Sequence, residues 1–380
     1  MTTARIYLDN AATTRVDPVV FEAMKPYFME HYGNPSSVHG HGREARSAVE
    51  MTRKNIAELI NATPGEIFFT SGGTEADNTI INGAIRGVGI THAITSKIEH
   101  HAVLHTLEHL EKQGKITLSF VALDEKGRVK LDNLEELLEE HPKSFVSLMH
   151  ANNEVGNLLD IKQVAALCDS HGAFFHTDSV QTMGQHRHDV RDSGVHTLVC
   201  SAHKLHGPKG IGFMYIRRDK RFQPMIIGGG QEREMRGGTE NVAGIVGLGK
   251  AMEIAYETME ESQKHKRSLK QQMMTALKES LPGISFNGNC GDLENSLHSV
   301  LNVSFPPSPE NEFLLFNLDL QGISASGGSA CASGASTGSH VLTALGVDPN
   351  RGAVRFSFGR YNTEEDIQNT VRVLKEIFVG

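Results

Sequence analysis

The sequence predicts an α/β fold: a mostly parallel sheet covered by helices in a large domain, joined to a smaller α+β domain. Two observations carry this. From Glu66 to Ser170, short apolar strand-like runs alternate with helical patterns, and that βαβα rhythm goes with a parallel sheet covered on both faces. The C-terminal third then changes texture, with three strand-like runs and two helical ones in no such alternation. A chain of 380 residues also exceeds what one core usually organises. The expected division is a large domain over 16–260 and a small one made of 1–15 and 261–380.

Composition narrows the function classes. Apolar residues make up 39% and charged residues 22%, which is ordinary for a globular chain. A net charge of −8 with no basic patch disfavours nucleic acid. Met1 to Asp9 lacks the apolar core of a signal peptide, and no apolar run approaches the ~18 residues of a membrane span. Four cysteines without a Cys-x-x-Cys pair argue for a reducing compartment, taken as the cytoplasm, and against a disulfide framework or zinc ribbon.

Taken in order, Asp17 to Glu30 has helical spacing, with Asp17 as N-cap and Pro18 in the first turn. Gly42 to Asn61 is amphipathic. The preceding Gly40-His-Gly-Arg-Glu-Ala45 imitates a dinucleotide fingerprint without the strand that fingerprint needs. Glu66 to Thr70 reads as a strand, and Ser71-Gly-Gly-Thr-Glu-Ala-Asp-Asn78 opens a helix running to Arg86. Two readings stand for Gly73 and Thr74: a phosphate seat at a helix start, or a simple capped helix. His92 to Thr95 is a strand, and the next helix opens at Glu99-His-His101. His101, His105 and His109 share a helical face, but with twenty histidines in the chain a chance spacing outweighs a metal site, and no metal is expected. Further strands are read at Ile116–Leu123 and Ser144–His150, and helices at Leu131–Glu140 and Ile161–Ser170. A long helix, broken once, is expected from Val242 to Leu281.

The chemistry concentrates at Ser201-Ala-His-Lys204-Leu-His-Gly-Pro-Lys-Gly210, between two apolar strands. A lysine at a strand exit is partly desolvated, which favours the free amine that a Schiff-base lysine needs. A solvated turn lysine is the competing reading. Upstream, Ala173-Phe-Phe-His-Thr-Asp178-Ser-Val-Gln181 reads as a strand ending in polar groups. Pyridoxal phosphate needs a lysine on its aldehyde carbon and a carboxylate on its ring nitrogen, and Lys204 and Asp178 at the ends of neighbouring strands could serve both.

With these motifs the sequence resembles the fold-type I pyridoxal-phosphate enzymes, class-V aminotransferase family, and among them the cysteine desulfurases of the NifS/IscS type. The resemblance runs from Tyr7-Leu-Asp-Asn-Ala-Ala-Thr13 to Arg355-Phe-Ser-Phe-Gly-Arg360. It implies that L-cysteine is converted to alanine, with the sulfur passing to a protein persulfide. It implies His100 over the cofactor ring, where it also moves protons, and Gln181 on the ring hydroxyl. Gly73, Thr74, Ser201 and His203 fall at the phosphate, and Asn153 on the substrate and cofactor face. It further implies a homodimer in which Thr239 of the partner subunit, on the loop 228–241, touches the phosphate. By sequence that loop is flexible and lacks an evident local partner.

Cys331 lies in Ser326-Gly-Gly-Ser-Ala-Cys-Ala-Ser-Gly-Ala-Ser-Thr-Gly-Ser-His340, too poor in apolar residues to hold one conformation. A nucleophilic thiolate and a small loop residue are both open readings from these residues alone. The resemblance makes Cys331 the sulfur-accepting nucleophile, although Ser336-Thr-Gly338 departs from the Leu-Glu-Pro of many relatives. Cys168 and Cys200 are expected in the core, and Cys290 as an exposed bystander. Arg355, on an alternating strand, suits a substrate carboxylate or a structural ion pair; the resemblance favours the carboxylate. Alternatives on the same fold are a selenocysteine lyase or an aminotransferase, and, outside enzymes, a sulfur-relay scaffold. The expected acceptor is a protein such as an iron–sulfur scaffold. The chain ends soon after its last helix, without the tail of many IscS-type relatives, which leaves tRNA thiolation and cofactor sulfuration open beside cluster assembly.

Overall fold

The computed structural model describes residues 5–220, 222–327 and 338–379. After a short strand β1 (Ile6–Tyr7), Asp17 caps α1 (Pro18–Met24) by accepting from Val19 N at 2.8 Å. The single helix expected to reach Glu30 is two, because Pro26 has no N–H to continue the ladder; α2 is Pro26–Met29. Helix α3 (Gly40–Leu59) follows.

The alternating region then unfolds as expected. Its elements are β2 (Ile67–Thr70), α4 (Gly73–Val88), β3 (His92–Thr95), α5 (His101–Lys112), β4 (Thr117–Phe120), α6 (Leu131–Glu140), β5 (Phe145–Ser147), α7 (Ile161–Ser170), β6 (Phe174–Asp178), β7 (Thr197–Ser201) and β8 (Gly212–Ile216). These strands make a seven-stranded sheet in the order β2-β8-β7-β6-β5-β3-β4. Pairing is parallel from β7 through β4, and β8 runs antiparallel to both neighbours. One face packs Ile56, Val146, Val164, Phe175, Phe213 and Leu248 into a core; the other packs Ile80, Ile81, Val103, Leu107 and Phe145.

Helix α8 (Val242–Glu257) and α9 (Met259–Ser280) meet at Thr258, whose hydroxyl bonds back to the Ile254 carbonyl at 2.8 Å. That back-bond competes with the helix ladder and marks the expected break. The remaining elements are β9 (Ser285–Phe286), β10 (Val300–Phe305), α10 (Leu314–Leu320), β11 (Ile323–Ser324), α11 (His340–Ala344), β12 (Gly352–Ser357) and α12 (Glu364–Val379). Strands β12, β10 and β9 form an antiparallel sheet, and β1 pairs with β11 in parallel. Leu8, Leu277, Leu301, Phe305, Phe356 and Leu374 bury themselves in its separate core. Among the described residues, no helix is long and apolar enough to cross a membrane.

Two sequence expectations fail here. Cys290 is buried, not exposed: its thiol donates toward the Asn287 carbonyl at 3.0 Å, and its sulfur accepts from Asn302 N at 3.3 Å. The loop 228–241 does have local partners. Glu232 turns inward and takes both Nη1 and Nη2 of buried Arg53, at 2.7 and 2.8 Å, and the N–H of Phe69 at 2.8 Å. Arg236 pairs with Glu75 at 2.9 Å. Glu232, Arg233 and Glu234 all have positive φ, of 47°, 57° and 66°. Three such residues in a row are costly outside glycine, so the bidentate pair holds a strained turn. Glu232→Ala leaves Arg53 buried without its main counter-charge. The expected loss in unfolding free energy is about 3–5 kcal/mol, read from urea denaturation; a loss below about 1 kcal/mol would mean the pair is no more than a surface bridge.

Candidate functional site

The parallel strands end on one edge of the large sheet, where ligands of open α/β sheets bind. A cavity of about 220 Å³ opens there. Its lining includes Gly73, Thr74, His100, Asn153, Asp178, Gln181, Ser201, His203, Lys204 and Arg355. Those are all the predicted site residues except Thr239 and Cys331. Thr239 is exposed and does not line this chain's cavity. Cys331 lies outside the described residues.

Asp178 closes β6 opposite Val199, and the adjacent β7 runs two residues further to close at Ser201. Lys204 follows in a short 3₁₀ turn, Ala202–Lys204. Its Nζ donates to the carbonyls of Ala11 and Ala12 at 2.5 and 2.8 Å. Gln181 Nε2 donates to the same Ala11 carbonyl at 3.1 Å, and His203 Nδ1 lies 3.1 Å from Thr13 Oγ1. The segment Ala11–Thr13 thus lies across the lysine from the far end of the sequence.

The start of α4 is built for close approach. Gly72 has φ +153° and gives α4 no side-chain cap, so the first N–H groups of the helix have no capping oxygen. A Cβ at Gly73 would come within 2.9 Å of Val180 and 3.8 Å of Ser201. Only glycine leaves this part of the cavity open, and an anion suits such a terminus.

Burial dominates the electrostatics. It pushes the Asp178 carboxyl above its ordinary value, against the opposing pull of His100, the Val180 N–H and Lys204. It pushes His100 down, opposed by Asp178 and helped by Lys204. His203 falls to about 4, through burial and then the charges of Lys204 and Lys209. His100 also caps α5, its Nδ1 accepting from Ala102 N at 3.1 Å.

Arg355 is fully buried on β12 and faces the cavity. Its Nη2 pairs with Asp9 Oδ1 and its Nη1 donates to the Asn153 carbonyl, both at 2.9 Å, while Nε has no hydrogen-bond partner. The ion-pair reading is therefore present, and one guanidinium donor, Nε, is buried without a hydrogen-bond partner. Asn153 is preceded by Asn152, and the two divide their roles. Asn152 satisfies backbone groups, accepting from Glu154 and Val155 and donating to Ile98; Asn153 lines the cavity.

Sequence reasoning passed over several cavity residues. Asp77 lies one turn into α4, and its Oδ1 is 3.2 Å from His176 Nε2. Burial, then Asp178 and Glu99, push its carboxyl well up. Asp77, His100 and Asp178 place one donor atom each within 4.8 Å of one another. Glu154, His101 and His340 also line the cavity. Asp77 follows Gly72 and Gly73 by a few residues and Glu154 follows Asn152 and Asn153, and those neighbours were the only signal. In the histidine stripe, His101 stacks on His105 at 4.4 Å, while His109 bonds Gln113.

The site residues and the donor set fit pyridoxal phosphate: a lysine and an acid at adjacent strand ends, and a glycine-bounded helix start for a phosphate. Comparison with known proteins agrees. Residues 6–370 match the aminotransferase class-V family. The cysteine desulfurase IscS of Clostridium botulinum is 42% identical over 98% of this chain and 94% of its own length. A solved NifS-like protein superposes with a TM-score of 0.91 at 39% identity, over 99% of both chains. A solved structure of SspA in complex with cysteine superposes at 0.82 and 32% identity, over 94% of this chain and 100% of that one. The fold is that of the fold-type I pyridoxal-phosphate enzymes, and the chain belongs to the class-V aminotransferase family, in its cysteine desulfurase branch.

A pH-dependent stability follows from Glu99, beside the cavity. Its Oε1 accepts from Met149 N at 2.8 Å, its Oε2 has no partner, and burial raises its pKa to about 8 from 4.5. The folded chain keeps this proton after the unfolded chain has lost it. The stability it contributes is present below pH 4.5 and lost as pH rises through about 8. Glu99→Gln keeps an acceptor for Met149 and cannot ionise. Its unfolding free energy relative to wild type should rise steadily across that window in denaturant titrations; a pH-independent difference would refute the assignment.

Proposed function

We propose that this cysteine desulfurase holds pyridoxal phosphate on Lys204, converts L-cysteine to L-alanine, and passes the sulfur to Cys331 as a persulfide. The observation that carries the reading is the pairing of Lys204 and Asp178 at the ends of adjacent parallel strands, facing one cavity that Arg355 closes. When bound, the cofactor supplies a protonated ring that delocalises the electron pair left at the substrate Cα.

The chain's residues would do the rest. Asp178 holds the ring nitrogen, and Gln181 the ring hydroxyl. Gly73, Thr74, Ser201 and His203 hold the phosphate, together with Thr239 of the partner subunit. His100 stacks on the ring and moves protons. Arg355 and Asn153, both lining the cavity, hold the substrate carboxylate end. Lys204 Nζ takes the Cα proton. The Cys331 thiolate attacks the substrate sulfur: an S–S bond forms and the Cβ–S bond breaks. The electron pair stays with carbon, and a proton completes alanine. One thiol and one cysteine give one persulfide and one alanine, so no outside oxidant is required.

In this reading residues 16–260 form the cofactor-binding domain, and 1–15 with 261–380 the smaller domain that carries Cys331. The protein works as a homodimer in the cytoplasm. Exposure of Thr239, together with Met29, Val38 and Ile227 at 83%, 88% and 87% exposed, supports a second copy covering this region. The persulfide goes on to an acceptor protein, such as an iron–sulfur scaffold.

Lys204→Ala should abolish turnover and the absorption band of the bound cofactor; a variant with normal absorption and activity would sink the assignment. Cys331→Ser should stay yellow and still bind L-cysteine, yet form neither alanine nor persulfide at a useful rate. Wild-type alanine production by that variant would move the reading to a lyase that releases sulfur without a protein persulfide.

A further inference from the structure

A second, smaller cavity of about 30 Å³ lies between α9, the turn after β6 and the residue ahead of β10. That is roughly twice what one water requires, and it suits an ion of a single atom. Lys266, Ser299, Gln185, His206, Arg360 and Lys204 contribute to its wall, and no lining residue among those described is an aspartate or glutamate.

Lys266, on α9, is only 8% exposed, and its Nζ donates to Gln185 Oε1 at 3.2 Å. An ammonium has three N–H donors, and this neutral amide takes one of them. Gln185 is itself fixed: its Nε2 donates to the Gln181 carbonyl at 2.9 Å, and its own carbonyl accepts from Gln263 Nε2 at 2.6 Å. The other cations of the wall are accounted for. Arg360 Nη1 pairs with Asp17 Oδ2 at 3.0 Å, and Lys204 Nζ donates to the Ala11 and Ala12 carbonyls. Burial, then Arg360, pushes His206 down to about 4, so that ring is neutral at pH 7. The same two causes lower Lys266 only to about 8, so its amine keeps its proton at pH 7. A buried cation met by a neutral amide alone is costly.

An independent observation comes from the opposite side. Ser299 is 5% exposed, and its carbonyl accepts from Phe358 N at 2.8 Å. Its Oγ is buried without a hydrogen-bond partner. A hydroxyl turns to suit its neighbour and can donate to an anion.

We propose that this cavity binds a small monovalent anion of chloride's size, held by the Lys266 ammonium and the Ser299 hydroxyl. The anion supplies the counter-charge that the wall lacks, and it ties α9 to the residue ahead of β10. The site is distinct from the cofactor cavity, which neither Lys266 nor Ser299 lines.

Bromide replaces chloride and scatters anomalously. Crystals of the cofactor-loaded enzyme grown in bromide should show an anomalous peak in this cavity, in contact with Lys266 Nζ and Ser299 Oγ. In solution, chloride is varied at fixed ionic strength with gluconate as the balancing anion. Each tenfold rise in chloride above half-saturation should lower the urea-unfolding constant about tenfold. Lys266→Met removes the charge at similar length and should lose both the peak and the chloride dependence. Ser299→Ala keeps the ammonium and should raise the half-saturating chloride about tenfold; it decides the matter if Lys266→Met does not fold. Water alone in the cavity at high bromide would overturn the proposal, as would a bromide peak with no chloride dependence in solution. So would equal chloride dependence in wild type and Lys266→Met, or an unchanged half-saturation in Ser299→Ala.

Discussion

A carboxylate buried at the end of a parallel strand is expensive unless a cation stands against it. Asp178 is in that position. It is only 6% exposed, accepts one backbone N–H from Val180 at 2.9 Å, and has its pKa raised chiefly by burial. Two more acids, Asp77 and Glu99, are buried near it and are also pushed upward. Like charges this close cannot all ionise, so the wall has room for one anion and a need for one cation. In the proposed function a protonated pyridine nitrogen would answer that need, and Lys204 would supply the covalent hold.

The fold exists to make that pairing. Parallel strands β6 and β7 put their carboxyl ends together, and the register His176↔Thr197 through Asp178↔Val199 fixes the level at which each side chain emerges. A one-residue slip would turn Asp178 into the opposite face. The antiparallel β8 then returns the chain so closely that a Cβ at Gly212 would meet the Cys200 carbonyl at 2.3 Å. The smaller sheet contributes from the far side: Arg355 reaches the cavity from β12, steadied by Asp9 from the N-terminal segment. Side chains from two different cores thus meet at one opening.

Much of this was legible because local pattern encodes which way a side chain faces. Alternation in Ala353–Phe358 set Arg355 apart from Val354 and Phe356, and apolar runs ending in polar residues marked Asp178 and Lys204 as strand ends. What stayed hidden depends on contacts between distant segments. Nothing near Ala11 and Ala12 announces that their carbonyls receive the Lys204 amine. Glu232 reads as one more charge in a polar loop until Arg53 is found beneath it. Cys290 sits among asparagine and glycine and reads as exposed, yet β9 and β10 close over it. Asp77 and Glu154 were hidden for a related reason: one sat in a helix start and the other beside two asparagines, and only the fold shows both lining the cavity.

The central claim is that the charge on Asp178 is fixed by the cation it receives. Infrared difference spectroscopy can follow its carboxyl band across pH, with Asp178→Asn to assign it. In the cofactor-free protein the midpoint should lie above the ordinary 3.8, and loading with pyridoxal phosphate should lower it. A midpoint that does not move on loading, or one already at or below 3.8 in the free protein, would contradict the account.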